Sequence, residues 1–197
     1  MFTGIIDHIG EITRTDTTKA GISAWVRCDF TDIQEGESIS VDGMCLTALN
    51  PEANAFRCDI SPETLKLTTA KDFKAGRKVN LERAMRASDR FGGHVVTGHI
   101  DTHCQLLEKK AEGEFYHYRF GNLTPEFLRY LTKKGSVAIN GVSLTINNVH
   151  NDGFDVMLIP HTLERTTLDA LEKNDDVNIE VDTFARIIID KTLGEHS

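Results

Sequence analysis

The 197-residue chain has no apolar run longer than a few residues, where about 20 are needed to cross a bilayer. Its opening, "MFTGIIDHIGEI", has neither the basic flank nor the long apolar centre of a secretory leader. A cytoplasmic location is the expectation. Basic charge is also scarce: 22 Lys and Arg against 30 Asp and Glu leave a net charge of -8, with no concentrated basic patch. Neither a nucleic acid nor a membrane surface is therefore expected as a partner. The four cysteines, Cys28, Cys45, Cys58 and Cys104, form no C-x-x-C pair and no zinc-ribbon spacing, so they read as thiols, three of them as core residues. G-x-S-x-G, phosphate-loop and dinucleotide-binding glycine patterns are missing, and "GGHVVTG" does not stand between a strand and a helix. What remains, 40% hydrophobic and 26% charged residues, suits one globular domain or two small ones.

An internal repeat organises the chain. "TGIID" at Thr3–Asp7 returns as "TGHID" at Thr97–Asp101, and "VDGMCLT" at Val41–Thr47 returns as "INGVSLT" at Ile139–Thr145. "SPETLKLTT" at Ser61–Thr69 returns as "IPHTLERTT" at Ile159–Thr167, and "VNLE" at Val79–Glu82 as "VNIE" at Val177–Glu180. The first block recurs after 94 positions and the other three after 98, so two collinear halves differ by one insertion of four residues. The seam falls near the polar stretch "RASDRFGG" at Arg86–Gly93.

Each half alternates short β-branched segments with turns. Asp42-Gly43 after "ESISV" and Asn140-Gly141 after "GSVAI" favour the positive φ of type I′ hairpin turns. Short strands at this spacing point to an all-β fold with one small closed barrel per half. Ser61-Pro62-Glu63 and Thr124-Pro125-Glu126 carry the hydroxyl cap, first-turn proline and acid of short helices. After Asp182, Phe184, Ile187, Ile188 and Leu193 fall on one face of a helix outside both repeats. That face suits another subunit or the chain's own barrel.

Duplication supplies a control within one chain. Positions matched in both halves serve the fold or a ligand that each half binds, and unmatched polar positions are candidates for a task of one half alone. Cys45 stands opposite Ser143, and His99 opposite Ile5. A thiol is the stronger nucleophile, and imidazole is the side chain that titrates near neutrality. Matched hydroxyls, Thr47 with Thr145 and Thr64 with Thr162, and the matched Gly4 and Gly98 suit a flat heterocycle with an imide edge and a polyol chain. For any single threonine, a strand or cap residue is the simpler account. His99, Asp101 and His103 have the alternation of a metal-binding strand face, but the first half has no such trio and a metal leaves the repeat unexplained.

The blocks "MFTGII", "DGMCLT", "ERAMRASDRFGGHVVTGHID", "NGVSLT" and "LIPHTLERTTL" together resemble the riboflavin synthase α-chain family, from residue 1 to about Asp182. The resemblance implies two six-stranded Greek-key barrels, one over residues 1–95 and one over residues 96–192 including a C-terminal oligomerisation helix. It implies a homotrimer with each active site between the first barrel of one subunit and the second barrel of its neighbour, and it allows association with lumazine synthase. It also implies a reaction, the last step of riboflavin biosynthesis. Two molecules of 6,7-dimethyl-8-ribityllumazine dismutate by four-carbon transfer to riboflavin and 5-amino-6-ribitylaminouracil. Donor and acceptor are both substrate, so no metal, flavin or nicotinamide cofactor is expected.

By the same resemblance, His99 falls at the acid–base position, Cys45 at the thiol position and Ser38 at a hydroxyl beside it, with Phe2, Ser143 and Asp182 shaping or assisting the site. The first lumazine site is implied at Gly4, Ile5 and Ile6, at Cys45, Leu46 and Thr47, and at Asp59, Ile60, Ser61, Pro62, Glu63 and Thr64. The second is implied at Gly98, His99 and Ile100, at Lys134, at Ser143, Leu144 and Thr145, and at Ile159, Pro160, His161, Thr162, Leu163 and Glu164. Two positions depart from the family: Met44 where some relatives have a second cysteine, and His161 where a glutamate is common. The competing reading is a non-catalytic lumazine- or flavin-binding protein of the same fold. It needs the matched positions but not Ser38, Cys45 and His99.

Overall fold

The two turn dipeptides do what their residue types favour. In a computed structural model that describes residues 1–194, Asp42 and Gly43 have φ of 46° and 86°, and Asn140 and Gly141 have 45° and 80°. Positive φ at both central residues matches the right-handed twist of the flanking strands. These turns join β3 (Ser38–Val41) to β4 (Met44–Thr47) and β10 (Ser136–Ile139) to β11 (Val142–Val149).

The second half contains β8 (Thr102–Glu112), β9 (Phe115–Gly121), β10, β11, β12 (Gly153–Leu158) and β13 (Asp176–Val181). They close into a barrel in the order β10-β11-β12-β9-β8-β13. The first half contains β1 (His8–Thr18), β2 (Gly21–Arg27), β3, β4, β5 (Leu49–Glu52), β6 (Ala55–Ile60) and β7 (Lys78–Arg83), in the order β4-β3-β7-β1-β2-β6-β5. This sheet is open, not the closed barrel expected of each half: the strand equivalent to β11 is divided at Ala48 into β4 and β5, which end the sheet, so seven strands stand where six were expected. The divided strand carries Asn50 at a φ of 46° and Pro51, which has no N–H for the ladder, and its register slips between Leu49 and Glu52.

Alternation along the strands fills the two cores. Ile39, Val41, Phe56 and Leu81 are buried in the first barrel, and Leu106, Phe120, Phe154 and Ile179 in the second. Each such side chain contributes roughly 1.5–3 kcal/mol by leaving water. The outer faces of β3 and β4 are left with hydroxyls and a thiol: Ser38 pairs with Thr47, and Ser40 with Cys45.

The barrels meet about a local two-fold axis. Asn80 of β7 donates from Nδ2 to the Asn140 carbonyl (3.0 Å) and accepts from the Thr167 N–H (2.7 Å). Its twin Asn178 donates to the Asp42 carbonyl (2.8 Å) and accepts from the Thr69 N–H (2.7 Å). The fully buried Phe2 and Val96, also twins, exchange backbone hydrogen bonds across the same axis.

Among the described residues, four α-helices complete the fold: α1 (Pro62–Leu67), α2 (Pro125–Leu128), α3 (Pro160–Arg165) and α4 (Thr183–Leu193). Asp182 caps α4 by accepting from the Phe184 N–H (2.8 Å), and Gly194 ends it in a left-handed turn. One side of α4 docks on its own second barrel through Arg186 with Asp101, and Asp190 with Tyr130. Its other side leaves Phe184, Ile187, Ile188 and Leu193 exposed. Among the described residues, no helix is long and apolar enough to cross a membrane.

Candidate active site

The two Thr-Gly segments that precede β1 and β8 are held alike. Each threonine and glycine points its N–H groups at a buried glutamate on the last strand of its own half. Glu82 on β7 accepts from the Thr3 N–H (2.6 Å), the Thr3 hydroxyl (2.9 Å) and the Gly4 N–H (2.9 Å). Glu180 on β13 accepts from the Thr97 N–H (2.6 Å), the Thr97 hydroxyl (2.7 Å) and the Gly98 N–H (2.9 Å). Burial raises the pKa of both carboxyls, and the hydrogen bonds oppose that rise.

The far side of each segment crosses to the other barrel. The Gly98 carbonyl accepts the Cys45 N–H (2.8 Å), and the Gly4 carbonyl accepts the Ser143 N–H (2.8 Å). Both glycines have positive φ, 76° at Gly4 and 82° at Gly98. A Cβ on Gly98 would lie 2.4 Å from Cβ of Cys45, and one on Gly4 would lie 2.6 Å from Cβ of Ser143. The next apolar residues follow the exchange: Ile6 joins the core of the second barrel, and Ile100 packs on the core of the first.

The expected grouping of site residues is therefore exchanged. Gly98, His99 and Ile100 stand with Cys45 and Leu46, and Gly4 stands with Ser143. A pattern match along the chain assigns each loop to its own half, whereas the backbone crosses the axis before it docks. As a result the two unmatched groups meet. Cys45 and His99 line one cavity of about 240 Å3, together with Met44, Leu46, Glu63, Thr64, Leu67, Thr68, Gly98 and Ile100. Leu67 and Thr68 were not anticipated, because they lie past Thr64, the end of the stretch expected to face ligand.

The remaining first-site residues are distributed by strand and helix geometry. Ser61 caps α1 by accepting from the Thr64 N–H (3.2 Å), and Pro62 opens its first turn. The Ile60 side chain is in the barrel core, and Asp59 faces outward, accepting from the Ser23 hydroxyl (2.6 Å). Ser38 shares the outer sheet face with Cys45 but lies one pair along, opposite Thr47. Buried Phe2 packs with Val96 and Ala138 between the barrels, against Cys45.

The twin place on the second barrel is built differently. Ser143 Oγ lies 2.7 Å from Nδ1 of His94, a buried ring whose pKa is lowered by burial and raised in opposition by Asp182. In the sequence His94 is one of three histidines in "GGHVVTGHIDTH", with nothing beside it to mark its partner. Thr145 pairs with Ser136 on the outer face, and Leu144 packs toward the core. Ile159 and His161 are exposed, Leu163 is in the core, and α3 has no side-chain cap because Ile159 replaces Ser61. Lys134 takes a φ of 68° where its twin is Gly36.

The His99, Asp101, His103 trio is dispersed. Asp101 turns to the Val181 N–H and Arg186, while His103 approaches the Leu67 carbonyl (3.4 Å). Among the described residues, no three His, Cys, Asp or Glu side chains are arranged to hold a metal ion.

Comparison with known proteins follows the two-fold division. The lumazine binding domain family matches twice, at residues 3–84 and 97–182. The chain belongs to the lumazine-binding riboflavin synthase family. A riboflavin synthase of Brucella abortus (strain 2308) is 42% identical over 194 residues, covering 94% of this chain and 95% of that protein. One of Photobacterium phosphoreum is 39% identical, covering 95% and 87%, and one of Bacillus subtilis (strain 168) is 38% identical, covering 94% and 87%. The fold also matches crystal structures of LumP with 6,7-dimethyl-8-(1'-D-ribityl) lumazine and with riboflavin. Their TM-scores are 0.82 and 0.83 at 23% identity, covering 92% of this chain and 99% of that one.

Proposed function

We propose that the protein is a riboflavin synthase, a transferase that converts two 6,7-dimethyl-8-ribityllumazine molecules into riboflavin and 5-amino-6-ribitylaminouracil. The observation that carries the reading is the meeting of Cys45 and His99 in one cavity, where the twin place has Ser143 and Ile5. Two like molecules must take unlike roles. One loses a proton from its 7-methyl group and becomes the nucleophile, and the other is made electrophilic by addition at its ring. His99 serves the proton transfer and Cys45 or Ser143 the addition, with Ser38 and Asp182 assisting. The atoms of two substrates equal those of the two products, so no external oxidant enters. Closeness and orientation of the two rings supply much of the rate.

The exposed face of α4, with Phe184 and Ile188 about 60% accessible, supports a homotrimer in which the first barrel of one subunit faces the second barrel of the next. Cytoplasmic location and contact with lumazine synthase belong to the same reading. Incubating the purified protein with 6,7-dimethyl-8-ribityllumazine and following riboflavin fluorescence tests it. Turnover is expected; tight binding without turnover would instead favour the non-catalytic carrier.

A further inference from the structure

The two buried glutamates make the same number of hydrogen bonds, yet they hold unequal cargo. On the Glu180 side, the His99 N–H donates to the Thr97 hydroxyl (3.3 Å), and that hydroxyl donates to Glu180 Oε1 (2.7 Å). On the Glu82 side, the equivalent chain runs from the Ile5 N–H (3.4 Å) through the Thr3 hydroxyl (2.9 Å). One chain ends on imidazole and the other on an aliphatic side chain.

We propose that Glu180 is the positioning residue of His99, a part of the second barrel that sets where the imidazole stands in the cavity it shares with the first barrel's thiol. The inference rests on the riboflavin synthase reading above. The segment between them has no slack. Glu180, 1% exposed, fixes one edge through three donors. The Cys45 N–H fixes the other edge, and Gly98 lies so close to Cys45 that no Cβ fits between them. A shift of the carboxylate must therefore move the backbone that carries His99. All three groups facing Glu180 are donors, so only an ionised carboxylate satisfies them. An amide nitrogen in its place sets donor against donor. Glu82 performs the same anchoring for a loop without an acid–base group, which makes it the internal control.

The test compares Glu180→Gln with Glu82→Gln in the full chain. Both should lose similar thermal stability, because the bonds removed are equivalent. Glu180→Gln is expected to lower kcat by about 10- to 100-fold with little change in KM, since small misplacement of a reacting group acts mainly on turnover. Glu82→Gln is expected to act mainly on KM. Losses in kcat that are equal in the two variants, and that track stability, would overturn the proposal. Should Glu180→Gln not fold, Thr97→Val interrupts the relay with the carboxylate intact. It should lower kcat while Thr97→Ser restores it; equal kcat in all three proteins would overturn the proposal. NMR of the His99 ring reads position without turnover: its resonances should move in Glu180→Gln and not in Glu82→Gln. An unmoved ring defeats the inference even in an active enzyme. A moved ring in an inactive wild type leaves it standing while the proposed function fails.

Discussion

The Gly98 carbonyl accepts the Cys45 N–H at 2.8 Å, so the loop that carries His99 belongs in space to the barrel that carries the thiol. Duplication produced two similar barrels, and crossing of the Thr-Gly loops brings residues of both halves to each candidate ligand place. The asymmetry of a few side chains is thereby concentrated at one cavity instead of being divided between two.

Replacing His99 tests the role of that concentration. His99→Ala should lower kcat by about 100-fold or more, the range of positioned acid–base groups, while lumazine binding measured by fluorescence quenching stays within a few-fold. Cys45→Ser should lose less than about tenfold in kcat, because the twin place uses Ser143 and the hydroxyl still packs beneath the Gly98 loop. Unchanged turnover in His99→Ala would show that another group moves the proton.

Gly98 should tolerate no side chain. Gly98→Ala combines positive φ with a Cβ 2.4 Å from that of Cys45, and is expected to cost about 1–3 kcal/mol with loss of activity. Gly36→Ala is the control. Its φ is also positive, but nothing lies within 4 Å of the added carbon, so the expected cost is about 1 kcal/mol. Urea titration of the two variants measures both.

Asp42 gives a pH dependence with a definite sign. Burial raises its carboxyl to about 6 from 3.8, against the opposing Arg77 charge and the Asn80 N–H. Between those values the folded chain holds a proton that the unfolded chain has released, so this group favours folding at low pH and the contribution fades as pH rises through about 6. Asn140, its twin, accepts the Asn178 N–H at 2.8 Å without a charge. Asp42→Asn should therefore be more stable than wild type at about pH 8, by roughly 2–3 kcal/mol. The difference should disappear near about pH 4, as read by thermal unfolding at a series of pH values.

The exposed side of α4 should be covered by subunit contact. Ile188→Glu is expected to leave the circular dichroism spectrum unchanged and to shift the sedimenting mass from three times 22.0 kDa to a single chain. In the proposed trimer it should also abolish turnover, because each site would lose the neighbouring barrel. A variant that remains trimeric and active would place the contact elsewhere.

The barrels were legible because their determinants are local. Asp42-Gly43 and Asn140-Gly141 announce hairpins, and inward alternation at Ile39 and Val41 announces a sheet face over a core. The repeat then carried each observation from one half to the other. The division of the first ring was legible only in part: Pro51 predicts a missing ladder bond, but not that pairing lapses at Ala48. The crossing was not legible. Ile6 and Ile100 occupy matched positions, and nothing in their neighbours says which barrel each will enter; that follows from long-range packing. Glu82 and Glu180 stood inside a recognised repeat block, yet their partners lie about eighty residues away, so they read as strand residues. His94 was visible but attached to no role, because the Ser143 hydroxyl it meets lies 49 residues away in sequence.

A crystal structure with a lumazine analogue lacking the reactive 7-methyl group would decide most. Two analogues per chain are expected, one beside Cys45 and His99 and one beside Ser143, with unlike surroundings. A single analogue per chain, or two analogues bound away from Cys45 and His99, would refute the pairing of two like ligands in unlike sites.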